Sequence, residues 1–243
     1  MPADHPEKES ESVRTLLDID LDKTLDRSRP LGTQIYEQIR LAIILEKLKP
    51  NDPISETELS TAFGVSRTPV REAYQRLIED GLLRSKAKAG TLVAPIDDAR
   101  VREGIIVRRA LEREVVKIIA TTDVNLRALD SNIALQSVAV SHNDHIEFFR
   151  QDENFHAALA DLAMLPSAWR LAHSVKSHTD RARIMLTGNL PNRINVAFNE
   201  HLALVDALKA QDAELAQALI SKHINSAFEA VNADIEHAKP TEK

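Results

Sequence analysis

Residues 55–84 read SETELSTAFGVSRTPVREAYQRLIEDGLLR, and this stretch decides the fold of the N-terminal part of the chain. Ile54-Ser55-x-x-Glu58-Leu59 has the form of a capping box with a hydrophobic staple. Ser55 caps a helix, Glu58 returns the bond, and Ile54 packs on Leu59. Gly64 falls where the chain must turn sharply, and a residue without Cβ tolerates the positive φ of such a turn. Pro69 suits the first turn of a second helix, where its missing N–H has no helical partner to lose. Arg67 and Arg71 then lie near the start of that helix. In a helix-turn-helix, this end of the second helix points into the DNA major groove.

Upstream, Ile35, Ile39, Ala42, Ile43 and Leu45 recur close to helical spacing across residues 30–48, and Lys49-Pro50-Asn51-Asp52-Pro53 ends that helix. Downstream, Leu82-Leu83 and Thr91-Leu92-Val93 read as two short strands. Between them Arg84-Ser85-Lys86-Ala87-Lys88-Ala89-Gly90 forms a basic wing turned by Gly90. Pro95 starts a linker. The segment resembles the GntR family of bacterial winged-helix transcription regulators. The match runs from PLGTQIYEQIRLAI (from Pro30) through VSRTPVREAYQRLIEDGLL to GTLVAP (ending at Pro95). VSRTPVREA and L-x-x-x-GLL stand in the family's order and spacing. The resemblance implies a dimeric DNA-binding domain with an effector-sensing domain behind it. Carried onto matching positions, DNA contact falls to Ser66, Arg67, Thr68, Pro69 and Arg71, and in the wing to Lys86, Lys88 and Gly90. Thr57 stands where many relatives carry arginine, which puts one DNA contact in doubt.

The chain has 243 residues, 43% of them hydrophobic, enough for one large or two modest domains. It has no cysteine, which excludes disulfide frameworks, cysteine zinc fingers and thiol nucleophiles. The start, MPADHPEKESES, lacks the apolar region of a signal peptide, and no run is long enough to cross a membrane. The reading is a soluble cytoplasmic protein. A net charge of −6 argues at first against nucleic acid, but distribution matters more than the total. Arg67, Arg71, Arg76, Arg84, Lys86 and Lys88 face only Glu72, Glu79 and Asp80 over the same stretch, a local basic excess in an acidic chain. A merely solvated helix face is the blander account.

Residues 1–29 read as a flexible tail, 30–95 as the winged helix-turn-helix, and 96–238 as an all-helical domain, so the class is mainly α. Breaks near Thr121-Thr122-Asp123, Ser141-His142-Asn143, Leu165-Pro166, Gly188-Asn189-Leu190-Pro191 and Gln211-Asp212 divide the last part into about six helices, expected as an antiparallel bundle.

Polar residues occupy inward positions of that bundle. The third helix has the stripe Phe149, Asp152, His156, Leu159, Ala163. The fifth has Ile194, Phe198, His201, Val205, Leu208, and the sixth Ala216, Ile220, His223, Ala227, Val231. Buried polar groups need partners. Asp152 and His156, four apart, share a helix face. One carboxylate and three imidazoles suit a divalent transition metal, zinc first, with nickel or manganese as alternatives. One inward histidine alone is more often a hydrogen-bonded core residue. The same half resembles the FCD effector domain of the FadR subfamily through DENFHAAL (from Asp152), EHLALVDALKAQDAELA (from Glu200) and His223. The resemblance implies that Asp152, His156, His201 and His223 bind a metal, and six helices fit the shorter VanR-like branch. Met164-Leu165 and Gln211-Asp212 stand where the family commonly has Gly-Asn and Gly-Asp.

The first bundle helix has the stripe Val101, Ile105, Arg108, Leu111, Val115, Ile119, in which Arg108 calls for an anion. Within VRRALE it matches the family's effector-contacting arginine, and an internal salt bridge is the alternative. His178 and Arg181, read on one stripe with Leu171, Ser174 and Met185, are further effector candidates, with a structural role equally open. His142, His145, His173 and His237 are read as surface residues. The expected protein is a homodimeric repressor that reads a near-palindromic double-stranded operator and responds to a small carboxylate metabolite held by metal and Arg108. The rival from another class is a metal-dependent hydrolase. Its conceivable base, Glu153, follows Asp152 directly and points roughly 100° away around the helix.

Overall fold

The computed structural model describes residues 25–86, 90–187 and 193–237, with side chains of the last helix to residue 226. The chain divides into two compact units after Asp97. In the first, α1 (Leu31–Ile44), α2 (Glu56–Ala62) and α3 (Arg67–Glu79) combine with a three-stranded sheet, β1 (Pro53–Ile54), β2 (Leu83–Lys86) and β3 (Gly90–Val93). The order is β1-β3-β2, antiparallel throughout, with Pro53 opposite Leu92 and Arg84 opposite Leu92 on the other edge. β1 is absent from the sequence reading, because two residues, the first a proline, carry no period to detect. The wing is also shorter than expected: Arg84, Ser85 and Lys86 belong to β2.

The capping reading holds at its decisive bond. Ser55 Oγ accepts the Glu58 N–H at 3.3 Å, and Ile54 and Leu59 lie together in the core. Gly64 has φ +62°, a value at which a Cβ would strain the turn between α2 and α3. Ile35, Ile39 and Ile43 of α1 pack on Val70, Ala73 and Leu77 of α3 in one apolar cluster. Arg76 closes this contact from outside: its guanidinium lies 4.0 Å from the centre of the Tyr36 ring.

The second unit has seven helices among the described residues: α4 (Asp98–Ala120), α5 (Arg127–Ser141), α6 (His145–Leu162), α7 (Pro166–Val175), α8 (Ser177–Thr187), α9 (Arg193–Lys209) and α10 (Ala213–His237). The expected count of six fails because the fourth helix is broken at Lys176. No glycine or proline marks that break. The side chain of Lys176 is fully buried, bonded to Asp180 and, at 3.0 Å, to Glu153. The helix count therefore no longer argues for the shorter branch. The expected break at Gly188–Pro191 lies outside the described residues.

α4 runs through the middle of this unit, against α6, α7, α8, α9 and α10, while α5 packs on α6 and α9. Gly104 permits the approach of α4 to the α7–α8 junction: a Cβ there would meet the Val175 carbonyl oxygen at 2.6 Å. The two departures from the family's glycines take on meaning here. Met164 and Gln211 have φ +58° and +55°, so non-glycine residues hold the left-handed conformation that ends α6 and α9.

Candidate functional site

In the first unit, α3 presents Ser66, Arg67, Thr68 and Arg71 to solvent, with Pro69 half-buried. Ser66 takes the N-cap position. Lys86 and Gly90 are exposed and paired with each other across β2 and β3. Lys88 lies outside the described residues. Arg71 is 66% exposed, and its Nε donates to Glu56 Oε2 at 3.0 Å, which ties the start of α3 to the start of α2. Two other cations of the basic excess are partly engaged within the unit. Arg76 covers Tyr36 and Arg84 donates to Asn51 Oδ1 at 2.6 Å.

In the second unit, α6, α9 and α10 bring Asp152, His156, His201 and His223 together. One ligand atom from each lies within 4.8 Å of all the others, and all four residues are buried. His223 Nε2 lies 3.3 Å from His156 Nε2 and 3.3 Å from His201 Nε2, and His201 Nε2 is 3.7 Å from Asp152 Oδ1. Each Nδ1 faces another oxygen: His201 meets Gln136 Oε1 at 2.8 Å and His223 meets Glu200 Oε2 at 2.9 Å, while His156 lies 2.7 Å from Glu112 Oε2, within ion-pair range but off the line of a hydrogen bond. A neutral imidazole that donates through Nδ1 has a bare lone pair at Nε2. In that tautomer three lone pairs and a carboxylate converge on one point, an arrangement that repels itself without a cation. Two nitrogens bound to a tetrahedral zinc stand about 3.3 Å apart, and both histidine pairs match that edge. The donor set fits a divalent transition metal. The outer carboxylates and amide fix ring orientation, as partners of metal-binding histidines do.

Aromatic rings hold the imidazoles in place. Phe155 stacks on His201 at 4.2 Å, and Trp169 on His156 at 5.8 Å. Burial, with His223 beside it, holds the His201 pKa well below its usual value, and burial also lowers His156 against the pull of Glu112. Both are therefore held in the neutral, ligating form. Burial pushes the Asp152 carboxyl up, but the charged neighbours, Arg183 first, outweigh it and keep the group well below the usual carboxylate range.

Arg108 is buried beside this group. Its Nε donates to Glu112 Oε1 at 2.7 Å, the internal ion pair that the sequence leaves as the alternative. Its Nη2 also lies 3.3 Å from His156 Nε2, so the guanidinium borders the ligand atoms. His178 and Arg181 are buried on α8, while Leu171, Ser174 and Met185, placed on their stripe, are exposed. The break at Lys176 resets the helical phase. The arginine of α8 that reaches the ligand group is Arg183, with Nη2 3.1 Å from Asp152 Oδ2. Arg181, two residues back, points about 200° away around the helix. Glu112, Gln136, Glu200 and Arg183 are the site residues that sequence reasoning missed. Only Glu112, four after Arg108, carried a signal in its spacing. A pocket lined in part by Phe149, Arg183, Ile184, Ile194, Glu200 and His223 opens beside the ligands. Glu153, the candidate base of a hydrolase, is bonded to Lys176 at 3.0 Å and His173 at 3.3 Å.

A helix-turn-helix with a wing, followed by a helical bundle with a buried Asp-His₃ group, defines a DNA-binding regulator with a sensory domain. The comparisons agree. Residues 31–93 match the family described as bacterial regulatory proteins, gntR family, and residues 104–226 match the FCD domain. The chain is 32% identical over 209 residues to the HTH-type transcriptional repressor RspR of Escherichia coli (strain K12), across 85% of this chain and 91% of that protein. A putative transcriptional regulator GntR from Rhodococcus sp. RHA1 superimposes with TM-score 0.68 at 26% identity, over 86% of this chain and 98% of the other. E. coli McbR/YncC shares the fold, with TM-score 0.73 at 19% identity over 84% of this chain and 98% of the other. The chain belongs to the GntR family of transcription regulators, in the group that carries an FCD domain, and not to a family of enzymes.

Proposed function

We propose that this regulator is a metal-loaded, carboxylate-responsive repressor that binds a short near-palindromic operator as a homodimer. It would act where the DNA is, in the cytoplasm. One observation carries the sensory half: three histidine Nε2 atoms converge with the Asp152 carboxylate while every Nδ1 turns away, within 2.9 Å of an oxygen of another side chain. Asp152, His156, His201 and His223 would hold the ion, with zinc preferred for three imidazoles and one carboxylate. When bound, the metal supplies a Lewis-acidic position for an anionic oxygen.

Charge favours a small carboxylate. Asp152, Glu112 and Glu200 face Arg108 and Arg183, leaving one excess negative charge around the ligands. A divalent ion turns this into one excess positive charge, which a monoanion neutralises. Once a cation takes the His156 lone pair, the nearby Arg108 N–H becomes available to such an anion. Arg183 borders the pocket and is the second candidate. His178 and Arg181, facing elsewhere on α8, would shape the surrounding helix packing. On the DNA side, Arg67 and Arg71 would discriminate bases, Ser66, Thr68 and Pro69 would set the approach of α3, and Lys86, Lys88 and Gly90 would follow the phosphates. The repressor sense follows the naming of the RspR relative.

The test is selection of duplexes from a randomised library by the zinc-loaded protein, then titration of the selected duplex with and without small carboxylic acids. A palindromic consensus whose affinity falls in the presence of one acid class is expected. Enrichment of no sequence would overturn the DNA reading. Equal affinity with every acid would overturn the sensory one.

A further inference from the structure

The two arginines at the start of α3 are four residues apart on one helix face, yet they are held differently. Arg67 is exposed, with no ion pair among the described residues. Arg71 is braced from another helix: its Nε donates to Oε2 of Glu56, the first residue of α2, at 3.0 Å. The Glu56 side chain is only 35% exposed, against 66% for Arg71. The carboxylate also acts inward. The Tyr74 hydroxyl is buried without a hydrogen-bond partner among the described residues, and burial, then the charge of Glu56, then that of Glu58, push it well above its usual pKa. Glu56 is thus near both a core hydroxyl and a surface guanidinium.

Which nitrogen Glu56 holds decides what Arg71 can do. A guanidinium carries five N–H groups in one plane. With the Nε–H given to Glu56, the four on Nη1 and Nη2 remain, and these two nitrogens form the fork at the tip of the side chain. Such a fork can donate two parallel bonds to guanine O6 and N7 in the major groove. A side-on approach through Nε is closed. Because the group is planar, the bond at Nε also restrains the plane of the fork, so less freedom is lost when a base arrives.

Charge separates base from phosphate. Attraction to phosphate needs only a net positive charge, and Glu56 cancels most of the Arg71 charge seen from a distance. Arg71 therefore adds little to binding that ignores sequence. A base edge meets the fork at contact distance, where the paired guanidinium still donates. We infer that Glu56 is a positioning residue for specificity: through Arg71 Nε it aims the guanidinium fork at a guanine in each half-site and withdraws Arg71 from general attraction to phosphate. The inference rests on the DNA reading above and makes Arg71, of the two arginines, the stricter reader.

The experiment uses the full-length protein, the duplex it selects from a randomised library and a scrambled duplex, with affinities read by anisotropy at several salt concentrations. Glu56→Gln keeps the size of the side chain and removes its charge. The variant should bind the scrambled duplex more tightly, with a log-log salt slope steeper by about 0.9 per half-site as Arg71 turns to phosphate. Its preference for the selected duplex should fall by up to about 5-fold per half-site, the worth of a well-formed exposed ion pair. Glu58→Gln removes the same charge from the same turn of α2 and should move both duplexes together. In an Arg71→Ala background, Glu56→Gln should leave the preference where Arg71→Ala put it. A merely structural role of Glu56 at the start of α2 would show in both backgrounds. The proposal is overturned if Glu56→Gln leaves the preference unchanged, if Glu58→Gln lowers it as far, or if the effect persists without Arg71. A selected consensus without guanine would overturn it too. Enrichment of no sequence by the wild type is a different failure, that of the DNA reading itself, and it shows before any variant is made.

Discussion

The start of α3, proposed to face DNA, and the Asp-His₃ group of the bundle, proposed to hold a metal, are both polar sites, but they are constrained in opposite ways. Arg71 is two-thirds exposed and held by one ion pair with Glu56, while Asp152 and His201 are fully buried and His156 and His223 nearly so. Every imidazole of the ligand group is fixed at both edges, by an oxygen of another side chain on one side and by its fellow ligands on the other. An exposed cation needs only the right position along a helix, since its rotamer can adjust when phosphate or base arrives. A buried ligand set must be correct before the ion arrives, because wrong geometry leaves charges without water or partner. The first kind of site is therefore written in local sequence, the second in the phases of several helices.

The largest effect that would sharpen this contrast is at Arg108. Its guanidinium and the Glu112 carboxylate are almost wholly buried. Arg108→Ala is expected to destabilise the second unit by about 3–5 kcal/mol, since one charge is left without its partner. Denaturant melts would show it. A melt at the wild-type midpoint would mean that Arg108 serves an effector and not the fold.

Zinc should matter next. An ion present at about 100 times its dissociation constant adds about 2.7 kcal/mol to a protein that binds it only when folded. Adding zinc to chelator-treated wild type should raise the melting temperature, and His201→Ala should respond much less. Identical responses would break the claim that the buried group is a ligand set.

At the exposed site, Arg71→Ala should leave both melts untouched yet remove about 1–3 kcal/mol of base discrimination per half-site. Anisotropy titrations against the selected duplex and a scrambled one measure this directly. Equal loss on both duplexes would assign Arg71 to phosphate.

Proton linkage should separate the two sites as well. Burial lowers His201 and His156 in the folded state below the ordinary histidine value of about 6.5, so below that pH the unfolded chain takes up protons that the folded one refuses. The unfolded state binding more protons means stability rises with pH, and here it is lost as pH falls through 6.5. The limit is about 1.4 kcal/mol per histidine for each pH unit. Melting of the chelator-treated protein between pH 7.5 and 5.5 tests this, and a flat profile would contradict burial of neutral imidazoles. The smallest expected change is at Met164, 85% exposed with φ +58°. Met164→Gly should stabilise by up to about 1 kcal/mol, relief of the left-handed conformation being offset in part by glycine's freedom in the unfolded chain. Any loss of stability would show that Met164 has a contact worth more than the strain.

What the sequence determined by itself was whatever acts over one helical turn. The Ser55 cap, the positive φ of Gly64, the place of Arg67 and Arg71 at the start of α3, the inward stripe of α6, most of that of α9, and Ala216, Ile220 and His223 of α10 follow from neighbours a few residues away, and all appear in the structure. Asp152, His156, His201 and His223 were legible because each interrupts an apolar stripe. Tertiary structure decided the rest. At the break, Lys176 is buried against Glu153 and Asp180, with no glycine or proline there to announce it. That break turned α8 so that Arg183, and not Arg181, meets Asp152. Gln136 and Glu200 gained their roles only when separate helices packed, 65 residues apart in chain for Gln136 and His201. Hydrogen bonds between helices depend on the rotation of each about its own axis, and packing of the whole bundle, not any single segment, sets those rotations.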